Sequence, residues 1–247
     1  MINALPDSVL ALIFNFLPET EKVCTATLVC RKWYNVIHSS TVWKKVDFDF
    51  QRRITSDILE KFVYSGTREV LLSECHNLEW KDVCHILGRC RKLEVLVLAW
   101  IGYRKQTAVP AHFTEVLNIG YLRFLQLSHC KVTSSLFGML PLKCPVLEML
   151  FIDNCQEISQ ESYEISPFKQ HEHLKLLCVA HNREALSVHC VVELLKYTNG
   201  KVLLDIRGHH FTQDDFDYIT REHHNALDRI KEVDDYQNMI KTCLLRG

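Results

Sequence analysis

Along the first 50 residues the apolar positions recur at helical intervals; beyond them the interval changes. After Leu5-Pro6 they fall at Val9, Leu10, Leu12, Ile13, Phe14, Phe16 and Leu17. At 100° per residue these sweep roughly 200° of a helix, leaving Ser8, Ala11 and Asn15 on the other side. A stripe of about 100° suffices for a helix packed on one core, so the excess requires a second apolar surface, in this chain or on another protein. Pro18 ends the first helix. A second helical stretch from Glu19 carries Val23, Ala26, Val29, Cys30, Trp33, Val36 and Ile37, and Ser39-Ser40-Thr41 breaks it before Val42-Trp43.

From Trp43 onward the pattern L-x-x-L-x-L recurs, with first positions at Trp43, Thr67, Leu93, Leu122, Leu147, Leu174 and Lys201. The spacing is about 24 to 29 residues, the range of leucine-rich repeats. Cys75, Cys130, Cys155 and Asn182 follow the pattern at equivalent places. The first two repeats and the last are degenerate, as expected of the terminal units of a solenoid. Between the predicted strands lie amphipathic helical stretches. Most open on an apolar residue and a hydroxyl able to cap a helix start: Ile54-Thr55, Val132-Thr133, Ile158-Ser159, Leu186-Ser187 and Phe211-Thr212. Each repeat therefore reads as one strand plus one helix.

Composition narrows the function. Hydrophobic residues make up 47% of the 247 and the formal charge is −1, which gives no electrostatic footprint for nucleic acid or an anionic membrane. No apolar run reaches the roughly 18 residues of a membrane span. Met1 leads at once into structured sequence, so no secretory signal is expected, and 11 cysteines without one predict reduced thiols in the cytoplasm or nucleus.

Leu5-Pro6-Asp7-Ser8-Val9-Leu10, Ile13-Phe14, Phe16-Leu17-Pro18, Leu28-Val29-Cys30-Arg31-Lys32-Trp33 and Trp43 together resemble an F-box. The cysteine-containing repeats resemble those of the F-box/leucine-rich-repeat proteins. The resemblance covers nearly the whole chain to about Ile206. It implies an α/β solenoid, a short arc with parallel strands on the concave face and helices on the convex face, preceded by an all-α F-box. The corresponding domains are an F-box at 1–46, repeats at 47–210 and a C-terminal helical cap or tail at 211–247. It also implies a non-catalytic substrate receptor of an SCF-type ubiquitin ligase. The F-box would bind a Skp-type adaptor, and through it cullin, while the repeats hold a protein substrate. Carried over, Leu5, Pro6, Val9, Leu10, Ile13 and Phe14 become candidates for the adaptor contact. Trp33 is expected to serve the domain's own core, and Trp43 to join it to the first repeat. The alternative function is a repeat scaffold or inhibitor tethered through its F-box.

Strand alternation places one outward column at Lys45, Glu69, Val95, Phe124, Met149, Leu176 and Leu203. The next is Asp47, Leu71, Val97, Gln126, Phe151, Cys178 and Asp205. Their apolar middle, Leu71, Val95, Val97, Phe124, Met149, Phe151 and Leu176, is the expected substrate face. The competing expectation is that residues 211–247 fold back over it, with Phe216, Ile219, Leu227, Ile230 and Ile240 as covering groups. The Cys75-His76, Cys84-His85 and Cys90 cluster suggests zinc, but cysteines recurring with the repeat read as small interior hydrophobes. His209-His210 and His223-His224 read as solvated helix-end residues. No phosphate loop, nucleophile elbow or dinucleotide fingerprint is present, so no catalytic residue, metal or cofactor is expected.

Overall fold

The computed structural model describes residues 2–117, 120–156, 171–182, 186–197 and 202–222. Three short helices lead: α1 (Asp7–Phe14), α2 (Glu19–Cys24) and α3 (Arg31–Ile37). Pro6 and Pro18 stand at the N-caps of α1 and α2, where the fixed proline φ suits a helix entrance, and acidic residues follow in each first turn. Among the described residues seven strands then form one sheet in chain order: β1 (Lys45–Asp47), β2 (Glu69–Ser73), β3 (Val95–Ala99), β4 (Phe124–Gln126), β5 (Met149–Phe151), β6 (Leu176–Cys178) and β7 (Leu203–Asp205). Every pairing is parallel. Between or after them come α4 (Ser56–Glu60), α5 (Trp80–Leu87), α6 (Phe113–Val116), α7 (Ser134–Lys143), α8 (Val188–Tyr197) and α9 (Gln213–Glu222). A parallel sheet in strict sequence order is the solenoid that the repeat pattern predicts.

The register agrees with the predicted columns strand by strand. Lys45, Glu69, Val95, Phe124, Met149, Leu176 and Leu203 are successive partners, as are Asp47, Leu71, Val97, Gln126, Phe151, Cys178 and Asp205. Between them Val46, Val70, Leu96, Leu125, Leu150, Leu177 and Leu204 point inward and are buried. The helices, with Phe62 in the turn after α4, supply the other half of this core through Leu59, Val83, Ile86, Leu87, Val191, Leu194 and Leu195. Thr67, which replaces a repeat leucine, is also buried. Its hydroxyl donates to the Trp43 carbonyl at 2.9 Å and accepts from the Tyr64 amide at 3.0 Å, so the polar substitution leaves no unmet group. Caps form at Thr133, Ser187 and Thr212, whose hydroxyls accept from backbone amides three residues on. Thr55 makes no such bond, and Ile158-Ser159 lies outside the described residues.

Four residues after the inward-pointing residue of each strand the backbone turns left-handed. Phe50, Glu74, Trp100, His129, Asn154 and His181 have φ between 51° and 64°, and Gly208 has 79°. A β-carbon on Gly208 would sit 2.1 Å from His181 Nδ1, so glycine is required there. The amides of Glu74, Trp100, His129, Asn154 and His181 each donate to a carbonyl of the next repeat, at 2.7–3.2 Å. The turn costs a non-glycine residue roughly 1 kcal/mol, which that bond offsets, and it points the following side chain inward. There Cys75, Cys130 and Cys155 donate Sγ–H to the carbonyls of Phe48, Leu98 and Leu127, at 3.2, 3.6 and 2.7 Å. Asn182 donates to Ile152 O at 2.9 Å and to Val179 O at 3.0 Å while accepting from the Cys155 amide at 2.8 Å.

His209 is the next member of this series and not a solvated helix-end residue. Its Nδ1 accepts from the Leu186 amide at 2.9 Å, which leaves the proton on Nε2, 3.0 Å from Val179 O. That arrangement needs a neutral ring. Burial lowers its pKa below the ordinary 6.5, with His181 and His210 acting in the same direction and the Val179 carbonyl and Asp205 opposing. The unfolded chain then holds the proton more tightly, so stability from this residue is full above about pH 6.5 and is lost as pH falls. His129 and His171 are shifted the same way, burial being the largest cause for each.

Two outcomes follow. The urea midpoint is expected to fall between pH 7 and pH 5, and to fall less in His209→Asn, which keeps a donor without the titration; equal slopes would contradict the assignment. Asn182→Leu is expected to cost about 2–4 kcal/mol in equilibrium unfolding, because two carbonyls and one amide lose their partner inside the stack.

Candidate functional site

The helical N-terminus presents one face inward and another outward. Leu10, Ala11 and Phe14 of α1 are buried, and Val36 and Ile37 of α3 share the same continuous core. Phe14 meets Trp33 edge-on, with ring centroids 4.9 Å apart. The Trp33 indole donates to Asn3 Oδ1 at 2.9 Å, and Lys32 Nζ donates to the Leu5 and Asn3 carbonyls at 2.6 and 3.1 Å. These bonds tie the leading segment across α3 and fix the rotation of α1.

That rotation differs from the one read from sequence. Ala11, assigned to the polar side, is buried, whereas Val9, Leu12, Ile13 and Phe16 are exposed. Their spacing is i, i+3, i+4, i+7, a complete apolar stripe facing solvent. Phe16 is 89% exposed, Leu28 80% and Leu12 63%, and Ile2 and Val29 are exposed as well. The adaptor candidates therefore divide. Pro6, Val9 and Ile13 are exposed and Leu5 is half-buried. Leu10 and Phe14 have no accessible surface and are corrected to core residues: they interlock with α3, so a partner cannot touch them. Leu12, Phe16, Leu28 and Val29 were missed as candidates. The i, i+3, i+4, i+7 spacing in α1 was the signal for the first two. On the adjoining side of α1 a cleft of about 570 Å³ is lined by Ser8, Ala11, Leu12, Asn15, Val36 and Lys44, among others.

The junction with the repeats is tight. Trp43 is fully buried, and its indole nitrogen donates to Ile37 O at 2.5 Å. Its ring lies 4.4 Å from Phe62 and 6.4 Å from Phe48, with Lys22 Nζ 5.2 Å from its centroid. Tyr64 donates its hydroxyl to His38 O at 2.6 Å across the same seam. One hydrophobic core runs from Leu10 to Ile219 without interruption.

The outward face of the sheet forms a second, separate apolar cluster: Val95, Phe124, Met149, Phe151, Leu176, Cys178 and Ala180, with Val97 and Leu203 at its margin. Of the predicted face, Leu71 stands outside this cluster, half-buried on β2. Ala180, two residues beyond β6, was not anticipated. The Phe124 and Phe151 rings lie 5.3 Å apart. Polar groups frame the patch. At the strand starts Arg68 pairs with Glu94 at 3.2 Å, and Glu148 bridges Arg123 at 2.6 Å and Lys175 at 2.5 Å. Burial alone would raise the Glu148 carboxyl, but those two cations more than offset it and hold it below its usual range. At the strand ends Gln126 donates to Ser128 and Ser128 to Asp153, at 2.8 and 2.5 Å. Val95, Phe124, Met149, Phe151 and Leu176 are themselves buried, so of the expected face Leu71 and Val97 are the members that keep accessible surface.

The thiols offer little nucleophilic character. Burial pushes Cys75, Cys90, Cys130 and Cys144 up to about 12 and Cys84 to about 11. Cys190 is buried beside the Ser187 hydroxyl, and Cys243 lies outside the described residues. Among the described residues no group of three or more His, Cys, Asp or Glu side chains is placed to hold a metal ion, and no described helix is long and apolar enough to cross a membrane.

Comparison with known proteins bears on both surfaces. Residues 2–49 match the F-box-like family. The chain is also similar to F-box/LRR-repeat protein 21 of Ovis aries, 22% identical over 198 residues, which cover 74% of this chain and 44% of that protein. The Mus musculus protein of the same name is 23% identical over 198 residues, with the same coverage. The Bos taurus protein is 21% identical over 196 residues, covering 74% of this chain and 43% of the relative. The chain thus spans less than half the length of these relatives.

Proposed function

We propose that this chain, an F-box/leucine-rich-repeat protein in both of its parts, is the substrate-recognition subunit of an SCF-type ubiquitin ligase. The reading divides it into an F-box at 1–46, repeats at 47–210 and a cap or tail from 211. The observation that carries it is the exposed stripe Val9, Leu12, Ile13 and Phe16, with Leu28 and Val29 exposed nearby. A helix ordinarily turns such a stripe toward a core. Here it faces outward on a domain with the F-box pattern, and a Skp-type adaptor is the partner that pattern implies. Pro6 and the half-buried Leu5 extend the same contact.

In this reading the protein makes and breaks no bonds. It holds the adaptor at one end and a protein substrate on the concave face, where half-buried Leu71 and Val97 are the accessible members of the expected face and Val95, Phe124, Met149, Phe151 and Leu176 are buried. The shared core through Trp43 favours a fixed geometry between the two, and fixed positioning is what a receptor contributes to transfer catalysed elsewhere.

Leu12→Asp combined with Phe16→Asp is expected to weaken capture by a Skp-type adaptor at least about 100-fold, since each buried anchor contributes roughly 1.5–3 kcal/mol. The double variant should unfold at the wild-type urea concentration, because both residues are exposed. Phe14→Ala is the contrasting control, expected to cost about 3–5 kcal/mol of stability. Undiminished adaptor binding by the double variant would sink the docking assignment. Recovery of adaptor without cullin would favour the tethered scaffold.

A further inference from the structure

The accessible part of the expected face and the longest connection in the arc fall on the same two repeats. Leu71 and Val97 stand on β2 and β3, and the strand ends beyond them lead into Glu74 and Trp100. Leu93 and Leu122 begin successive repeats 29 residues apart, and the extra residues follow β3. An idle insertion would be loosely held; this one is fixed at both ends. Gly102 has φ 68°, and a β-carbon there would lie 2.4 Å from Thr107 Oγ1 and 2.8 Å from Trp80 Nε1. The Thr107 amide donates to Gly102 O at 3.2 Å, and the Val109 amide to Lys131 O at 3.0 Å. Between these anchors the 3-10 turn Tyr103–Lys105 holds Arg104 and Lys105.

With the end of β2 and the start of α5, this turn bounds a cleft of about 300 Å³, lined by His76, Glu79, Trp100, Gly102, Arg104 and Lys105, among others. The Trp100 ring is braced by stacking on His129, with centroids 4.0 Å apart. The charge of the cleft is unbalanced. Lys105 and Lys81 both pair with Glu79, Lys81 at 3.3 Å, and hold that carboxyl below its usual range. Asp82 is turned to the backbone, accepting from the Glu79 amide at 3.0 Å. Arg104 is exposed and pairs with no carboxylate among the described residues. Three cations thus meet two carboxylates, one of them committed elsewhere. His76 adds Nδ1, a buried ring nitrogen that has no hydrogen-bond partner among the described residues. Buried polar atoms seldom go unpaired in a folded protein. Pockets for whole small molecules run from roughly 300 Å³ upward and are mostly apolar, so a polar cleft at that lower limit suits a side chain of a docking segment. Nucleic acid is a poorer fit: Glu74 and Glu79 interrupt the cations, where a phosphodiester backbone calls for a continuous basic track.

We propose that this cleft binds an acidic segment of a protein partner: a carboxylate enters between Arg104, Lys105 and His76, and a neighbouring apolar side chain lies against Trp100. The segment then continues over Leu71 and Val97, three residues back along the same two strands, or about 10 Å. As a substrate contact the cleft rests on the receptor reading. It goes beyond that reading by assigning a polar subsite off the sheet face and the charge of the segment that fills it.

The test uses the full chain and a fluorescein-labelled nonapeptide, glutamate throughout except for a central leucine, followed by fluorescence anisotropy. This peptide is expected to bind, and its counterpart with glutamine in place of glutamate is not. Arg104→Glu with Lys105→Glu should weaken binding at least about tenfold, the effect of losing a charge-assisted hydrogen bond, at an unchanged urea midpoint. Lys196→Glu on α8 should change neither. On the wild-type chain, which needs no variant to fold, bound peptide should protect Lys105 from acetylation and leave Lys196 reactive, as mapped by mass spectrometry. No binding of the glutamate peptide, equal binding by the double variant or an unprotected Lys105 would overturn the proposal. So would preference for a phosphoserine peptide or a single-stranded oligonucleotide of the same length. Adaptor capture, measured in parallel, reports on the receptor reading independently, since these substitutions do not touch the N-terminal stripe.

Discussion

A single repeat of this architecture cannot hide its own leucines. Each strand buries its inner residues only when a neighbour closes the layer above and another the layer below, so a solenoid is stable in its middle and exposed at its ends. At the N-terminal end the closing layer is the helical domain. Trp43 sits in the first repeat position, yet its indole bonds to Ile37 O in α3, and Lys22 of α2 covers its ring. The module that reads as an adaptor-binding domain is thus also the cap that lets the arc begin. This dual role accounts for the single core from Leu10 to Ile219.

The same constraint explains the polar residues inside the stack. Strand ends leave carbonyls pointing along the arc, and a buried carbonyl without a donor costs about 1–3 kcal/mol. Cys75, Cys130, Cys155, Asn182 and His209 each place a donor at one such carbonyl. Cysteine suits the narrow sites because it behaves as a small hydrophobe with a weak donor. Asparagine and histidine do more, each also accepting from a backbone amide of the stack. The chemistry that suggested zinc in the linear sequence is absorbed by this architecture at Cys75: a thiol held at a carbonyl, with its pKa raised by burial, is poorly disposed to bind a cation.

Much of this was legible before any coordinates. Strand register follows from period-two alternation combined with a repeat of fixed phase, so both outward columns could be written down residue by residue. His209 was legible too, since it stands 27 residues after Asn182, as Asn182 stands 27 after Cys155. It was misread because the adjacent His210 suggested a solvated pair. The rotation of α1 was not legible. Seven apolar residues within nine positions define no unique inner face, and periodicity alone cannot say whether Ala11 or Leu12 is buried. The choice is made by α3: Trp33 and Lys32 lock the leading segment, and a small residue at position 11 permits close approach between helices.

The two apolar surfaces differ in how they meet solvent. The helical stripe is exposed, and it is narrow, one side of a two-turn helix with Leu28 and Val29 nearby. The concave patch spans five strands, and a continuous apolar area of that extent left in water invites association between copies. Its members are buried instead, as a cluster separate from the main core. Glu148 already satisfies Arg123 and Lys175 within the sheet edge, so any segment lying along the strip would be held chiefly by apolar contacts.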